Sequence, residues 1–330
     1  MELMTRIDIP KPEWKIGAGS KVLLVGSCFA SEVGEKMLRG GFEAMVNPFG
    51  TLYNPASIAA SLLRSISEKE CTTESVELVQ GATDGVWHSW MHHSSFSSAD
   101  PAVLVERVNR TTHEVASFLR EADVLIVTFG TAIIYRLKET GMLVANCHKQ
   151  PDSLFVRERL SAYDIADQWQ MLLQLLDSVN PHLKVIFTVS PIRHKRDGYH
   201  INQISKGILL QAVEEMVDGR CAYFPAYEIM LDELRDYRFY ADDMVHPSTQ
   251  AIDYIYERFA DSYMTSDTQA LAAQCRDIHR AVHHRPFHPE SPQHQQFVET
   301  TLARIQQLQQ LHPYLSFAEE IELCNTQFRK

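Results

Sequence analysis

Two short stretches of this 330-residue chain gather residue types suited to acyl-group chemistry. The first is Gly26-Ser27-Cys28, between the apolar run Lys21–Val25 and the helix-like segment Ala30–Arg39. A small nucleophile on such a turn meets the unpaired N–H groups and positive dipole end of the helix, which stabilise a developing oxyanion. The second is Asp242-Asp243-Met244-Val245-His246-Pro247-Ser248, just before the helical pattern Thr249–Phe259. A carboxylate and an imidazole three residues apart in one loop can act as orienter and general base for a nucleophile elsewhere. Each stretch also has a plain structural explanation. Ser27 can cap the helix, and Ser248 can cap the next while Asp243 satisfies loop N–H groups. A phosphate loop is excluded, because Gly26 and Gly34 are too far apart and Gly34-Glu35-Lys36 lies inside the helix. We place the nucleophile at Ser27, directly after the glycine. Cys28 is the rival, since a thiol at a helix N-terminus can have a lowered pKa. Residue 28 is, however, expected to turn into the helix–sheet interface, where a small thiol packs well.

Something must hold these stretches together. Lys21–Val25, Asp123–Thr128 and Lys184–Val189 are continuous apolar, β-prone runs, as strands covered on both faces require. Phe42–Val46 and Cys221–Phe224 supply two weaker ones. Helical patterns fall between them, at about Pro101–Glu121, Ala162–Val179 and Gln203–Val217. Strands alternating with helices predict a doubly wound α/β fold with a mostly parallel sheet. Two regions interrupt the alternation: a polar insertion at about 67–100, carrying Trp87, Trp90, His92 and His93, and a hairpin over 131–146. We read one core domain over 15–265 and a C-terminal helical extension over 266–330, the latter from the helical patterns Gln269–Val282 and Gln295–Leu311.

Composition narrows the classes. With 45% hydrophobic and 22% charged residues the chain is globular rather than disordered. A formal charge of −11 opposes a general nucleic-acid or anionic-membrane surface. Six scattered cysteines without a C-x-x-C pair suggest neither zinc ribbon nor disulfide framework and fit a reducing compartment. The N-terminus lacks the apolar stretch of a secretory signal, and no run approaches the roughly 20 residues of a spanning helix. The expectation is a cytoplasmic protein, with no oligomeric state specified.

Further residues sit where ligands could reach them. Arg193-His194-Lys195-Arg196 follows a strand, at the end where α/β sheets bind ligands. Arg193 could take a carboxylate or phosphate bidentately, or the run could be a solvated loop. His148 and Lys149 end the hairpin strand and could line the same cleft. His279 and His283, one helical turn apart, lack the partners of a metal site and are read as surface and packing histidines.

The string Gly26-Ser27-Cys28-Phe29-Ala30 resembles the signature of the GSCFA family. Further family-like strings are Asn47-Pro48-Phe49-Gly50-Thr51, Phe129-Gly130-Thr131-Ala132, Asn146-Cys147-His148-Lys149, Ser190-Pro191-Ile192-Arg193-His194 and His284-Arg285-Pro286. The family is similar to the SGNH/GDSL hydrolases, so the resemblance implies a three-layer α/β/α, flavodoxin-like fold. It also implies a serine esterase or deacylase acting on an ester or amide of a small, sugar-containing or anionic molecule, with no cofactor or metal. In that scheme Ser27 is the nucleophile, His246 the base and Asp243 its orienter. Oxyanion donors would be the Ser27 N–H, Gly50 and a group near Gly130. The superfamily's asparagine falls at Ala132, so Thr131, a backbone N–H or Asn146 would replace it. Asn47, His148, Arg193 and His194 are placed at the substrate. An acyltransferase with the same triad and a catalytically silent ligand-binding domain are the alternatives.

Overall fold

The computed structural model describes residues 4–81, 85–284 and 286–328; residues 82–84 of the insertion and Arg285 of the His-Arg-Pro string lie outside them. Five parallel strands form the central sheet: β1 (Lys21–Gly26), β2 (Glu43–Val46), β3 (Val124–Phe129), β4 (Lys184–Val189) and β5 (Cys221–Phe224). Their order across the sheet is 2-1-3-4-5, the flavodoxin-like arrangement, in which ligands bind beyond the carboxyl ends of the strands where the order reverses. That reversal lies between β1 and β3, which pair in register from Val22 against Val124 to Gly26 against Thr128.

Because successive strand residues face opposite sides, each apolar run feeds two cores. Leu23, Val25, Leu125, Val127, Val185 and Phe187 pack under α2 (Pro55–Ile66), α3 (Pro101–Glu121), α4 (Ala162–Val179) and α5 (Tyr199–Glu214). Val22, Leu24, Val124, Ile126 and Ile186 pack on the other face, under α1 (Cys28–Arg39) and α6 (Thr249–Tyr263). The result is the three-layer α/β/α architecture expected. Phe129, Trp169 and Phe187 close the first core, with ring centroids 5.1–5.7 Å apart.

The hairpin Ile133–Leu137 and Leu143–Val144 is present, and Phe155–Arg159 joins it as a third antiparallel strand that the sequence pattern did not suggest. The insertion is more ordered than its polarity predicts. Leu78–Gln80 pairs with Trp87–Ser89, and Cys71, Phe96, Leu104 and Val108 form a small core beneath them. After α6 come α7 (Ser266–His283), α8 (Pro292–Leu311) and α9 (Ala318–Phe328). Leu271, Cys275, Ile278, Ile305 and Leu308 form a cluster of their own there, while Ala272 reaches the core under α1. The six cysteines are unpaired. Among the described residues, no helix is long and apolar enough to cross a membrane.

Candidate active site

Gly26 ends β1 with φ +136°, and a Cβ there would lie 2.2 Å from the Thr128 carbonyl oxygen. Only glycine lets the two strands stay this close while the chain turns. The turn is then pinned from three sides. The Gly26 N–H donates to Asn47 Oδ1 at 2.8 Å, the Ser27 N–H donates to Thr128 O at 3.2 Å, and Asn47 Nδ2 donates to Ser31 Oγ at 2.8 Å. Asn47, expected at the substrate, therefore braces the turn, with φ +42°.

Ser27, expected to face the cleft, is the more buried of the two candidate nucleophiles, while Cys28 packs partly against the core under α1, as expected, and also lines the cleft. Ser27 is the N-cap of α1, only 1% exposed, and its Oγ accepts the Phe29 N–H at 3.3 Å. Cys28 instead faces the cleft, with Sγ 3.7 Å from His246 Nε2. Helix periodicity explains this. Phe29, Ala30, Val33, Gly34 and Met37 bury against the sheet, so residue 28 shares the outward stripe with Glu32, Glu35 and Arg39. That stripe is readable in the sequence and was the signal for Cys28.

His246 is set by its own loop. Asp243 Oδ1 accepts the N–H groups of Val245 at 3.0 Å and His246 at 2.9 Å, and its Oδ2 lies 2.5 Å from His246 Nδ1. These hydrogen bonds hold the Asp243 carboxyl down to about 2, so it is ionised at neutral pH. An ionised acceptor assigns the proton to Nδ1 and leaves the Nε2 lone pair toward Cys28. Burial pushes the Cys28 thiol up; the N–H groups of Cys28 and Phe29 and the charge of Lys206 pull the other way. A protonated thiol is thus the expected resting form of Cys28. Ser248 caps α6 through Ala251 N–H, so this loop serves both structure and geometry.

The expected oxyanion donors have other partners. Ser27 N–H is bonded to Thr128; Gly50 N–H donates to Asn47 O at 2.7 Å in a turn with φ +76°. Gly130 and Thr131 N–H both donate to Tyr53 O, at 2.7 and 2.9 Å. Asn146 Oδ1 accepts the His148 N–H at 2.9 Å and its amide reaches toward Ser94. Each of these groups is thus engaged within the chain. What surrounds Cys28 is a cleft of about 360 Å³, lined by Tyr53, Thr131, Arg193, His194 and His246 among others. Burial, with Lys206 and His246 nearby, lowers His194 to about 4, so it stands neutral there. His148 lies elsewhere, stacked on His88 at 4.5 Å and hydrogen-bonded to Ser89 O at 2.7 Å.

One residue was missed altogether. Lys206 on α5 is 1% exposed, and its ammonium donates at 2.7 Å to both Gly130 O and Ser190 O, just past the ends of β3 and β4. Its position mid-helix, between Ser205 and Gly207, gave no motif to recognise. Among the described residues no cluster of three metal-ligating side chains occurs; His279 pairs with Glu320 at 3.3 Å and His283 with the His279 carbonyl at 2.8 Å.

The GSCFA family profile matches residues 21–259, and that of the GSCFA C-terminal domain matches 275–330. No curated protein is similar enough to count as a match. Among solved structures, a carbohydrate esterase family 3 protein from Talaromyces cellulolyticus is similar at 12% identity, over 77% of this chain and 99% of its own, with TM-score 0.36. A mutant acetyl esterase with acetate ion gives 13%, 78%, 99% and 0.35. An acetyl xylan esterase from the rumen bacterium Butyrivibrio proteoclasticus gives 12%, 77%, 64% and 0.33. Likeness this low brings none of those activities to this chain. The profile matches cover most of the sequence, and the chain belongs to the GSCFA family.

Proposed function

We propose that this GSCFA protein is an acyl-ester hydrolase whose nucleophile is Cys28, with His246 as general base and Asp243 as its orienter. The observation that carries the reading is the relay Cys28 Sγ, His246 Nε2, His246 Nδ1, Asp243 Oδ2, with gaps of 3.7 and 2.5 Å across its two contacts. As substrate binds, Nε2 takes the thiol proton and the sulfur attacks the acyl carbon, forming a C–S bond. The oxyanion develops beside the first turn of α1, where N–H groups and the helix dipole favour negative charge. Collapse breaks the bond to the leaving group, which receives the proton from His246. Water, deprotonated by His246, then cleaves the thioester and releases the acid, restoring the thiol. The cleft suits a small acyl ester, and no step requires a metal or cofactor. Transfer of the acyl group to an acceptor other than water uses the same first half.

The test is acylation by p-nitrophenyl acetate, read by intact mass and peptide mapping on wild type, Cys28→Ala and Ser27→Ala. An acetyl group on Cys28 that persists in Ser27→Ala and disappears in Cys28→Ala is the expected result. An acetyl group on Ser27 would return the nucleophile to the serine. Added acceptor alcohols that divert the acetyl group from water would make the protein an acyltransferase.

A further inference from the structure

Beside the Cys28 cleft lies a second, larger one of about 600 Å³, and Arg193 lines both. Met230 and Leu234 line it with an apolar surface, and Tyr199, Tyr237 and Tyr240 supply aromatic faces. It continues directly from the catalytic loop, since Met244 borders it and Val245 O accepts the Arg193 N–H at 3.2 Å. The charges around it are already matched, with one exception. Arg235 pairs with Asp232 at 3.0 Å, and Asp236 pairs with Arg238 at 2.9 Å. Arg193 lies over the Tyr199 ring at 5.7 Å, yet no described carboxylate pairs with it and its Nε is buried without a hydrogen-bond partner. Arg193 is half-buried and lines both clefts, so its guanidinium stands at the cleft without an anion of its own, and in a chain of net charge −11 a carboxylate partner would have been easy to supply.

We infer that the second cleft is the substrate's anion-and-ring subsite. Arg193 would bind a carboxylate or phosphate on the substrate, and the tyrosine-rich surface would stack an aromatic or other flat apolar group beyond it. The inference rests on Cys28 as the reacting atom. It names the substrate class as an acyl compound carrying an anionic group a short distance from the reacting carbonyl.

Bromoacetanilide and its para-carboxy and para-phosphono derivatives test this, because each alkylates a thiol while placing a ring, with or without an anion, next to it. The expected result is saturable alkylation of Cys28 by an anionic derivative, at a half-saturating concentration at least fivefold below that of the neutral parent. The preferred derivative tells carboxylate from phosphate. Arg193→Gln should remove that preference. Tyr237→Ala, at a side chain 80% exposed and outside the core, should weaken saturation by all three reagents. Equal affinity for neutral and anionic reagents, or a preference that survives Arg193→Gln, would overturn the subsite. Failure of the Cys28 reading shows differently: iodoacetamide would label Cys28 at the same rate in His246→Ala as in wild type.

Discussion

The two halves of the site are held in opposite ways. The β1–α1 turn is fixed by the fold: Gly26 cannot carry a Cβ against Thr128, and Asn47 and the Thr128 carbonyl grip its amides from neighbouring strands. The Asp243–His246 loop is fixed largely by its own carboxylate, with a further tie from the Arg193 N–H to Val245 O. One carboxylate receives three hydrogen bonds within four residues, and both side chains remain 47% exposed. In the proposed mechanism a nucleophile on a turn rooted in the core and a base carried on a wet loop divide the labour of the site. Damage to the turn should reach the fold as well as the chemistry, whereas damage to the Asp243 and His246 side chains should reach mainly the chemistry. Cys28 is the exception on the first side, because its outward side chain carries none of the bracing.

The sharpest attack on this contrast is Cys28→Ala. Removing a nucleophile that acts as one unit with its base costs on the order of 10³-fold or more in kcat/KM. Thermal stability should stay close to wild type, since the thiol makes no bond that the turn needs. Acetylation and turnover surviving the substitution would dismiss the cysteine. On the loop side, Asp243→Asn leaves the shape and removes the ionised acceptor that assigns the His246 tautomer. Loss of that tautomer costs up to about 10⁴-fold in a related arrangement, and about 10²-fold is expected here, where the pair is wet. A change in melting temperature as large as that for a core substitution would show that the loop, too, is structural. With Asp243 held at about 2, the carboxylate stays ionised down to about pH 3, so an acid limb of kcat/KM above that pH belongs to another group.

Lys206 extends the comparison into the floor beneath the turn. Burial is the largest influence on its ammonium, followed by Arg193, and together they lower it to about 7; Cys28 acts in the other direction. The unfolded lysine keeps its proton to about pH 10.4. Between those values the unfolded chain holds the extra proton, so stability rises with pH. From pH 7 to 9 wild type should gain on the order of 2 kcal/mol relative to Lys206→Met. Chemical denaturation of both proteins at the two pH values measures it. Parallel behaviour of the pair would mean that the lysine is charged and well solvated.

The architecture could be read from the chain because apolar strands and amphipathic helices repeat their signals. Lys21–Gly26, Pro101–Glu121 and Ala162–Val179 emerged with bounds within a residue or so. The loop pair Asp243 and His246 could also be read, since its geometry is local. The partners of the expected oxyanion donors could not. Whether Gly50 or Thr131 offers a free N–H depends on the Asn47 and Tyr53 carbonyls, whose position no local pattern fixes. Phe155–Arg159 escaped for a related reason: exposed Glu158 and Arg159 give a weak strand signal, and pairing with the hairpin creates the strand. Ser27 reads two ways because one residue type serves two ends, and its observed place is the helix N-cap that serine prefers.

Ser27→Ala is the mildest intervention and the most discriminating. Its Oγ accepts one N–H at the head of α1, so the expected loss is a single cap, about 1 kcal/mol. The turn keeps its other ties through Gly26, Thr128 and Asn47, which should hold Cys28 in place and leave kcat/KM within a few-fold of wild type. Urea denaturation and acylation kinetics on the same preparation separate the two quantities. A lost cap with acylation intact assigns serine to the scaffold and cysteine to the chemistry. Full stability with acylation abolished would reverse both assignments and require the Ser27 side chain to swing out of its buried position in the working enzyme.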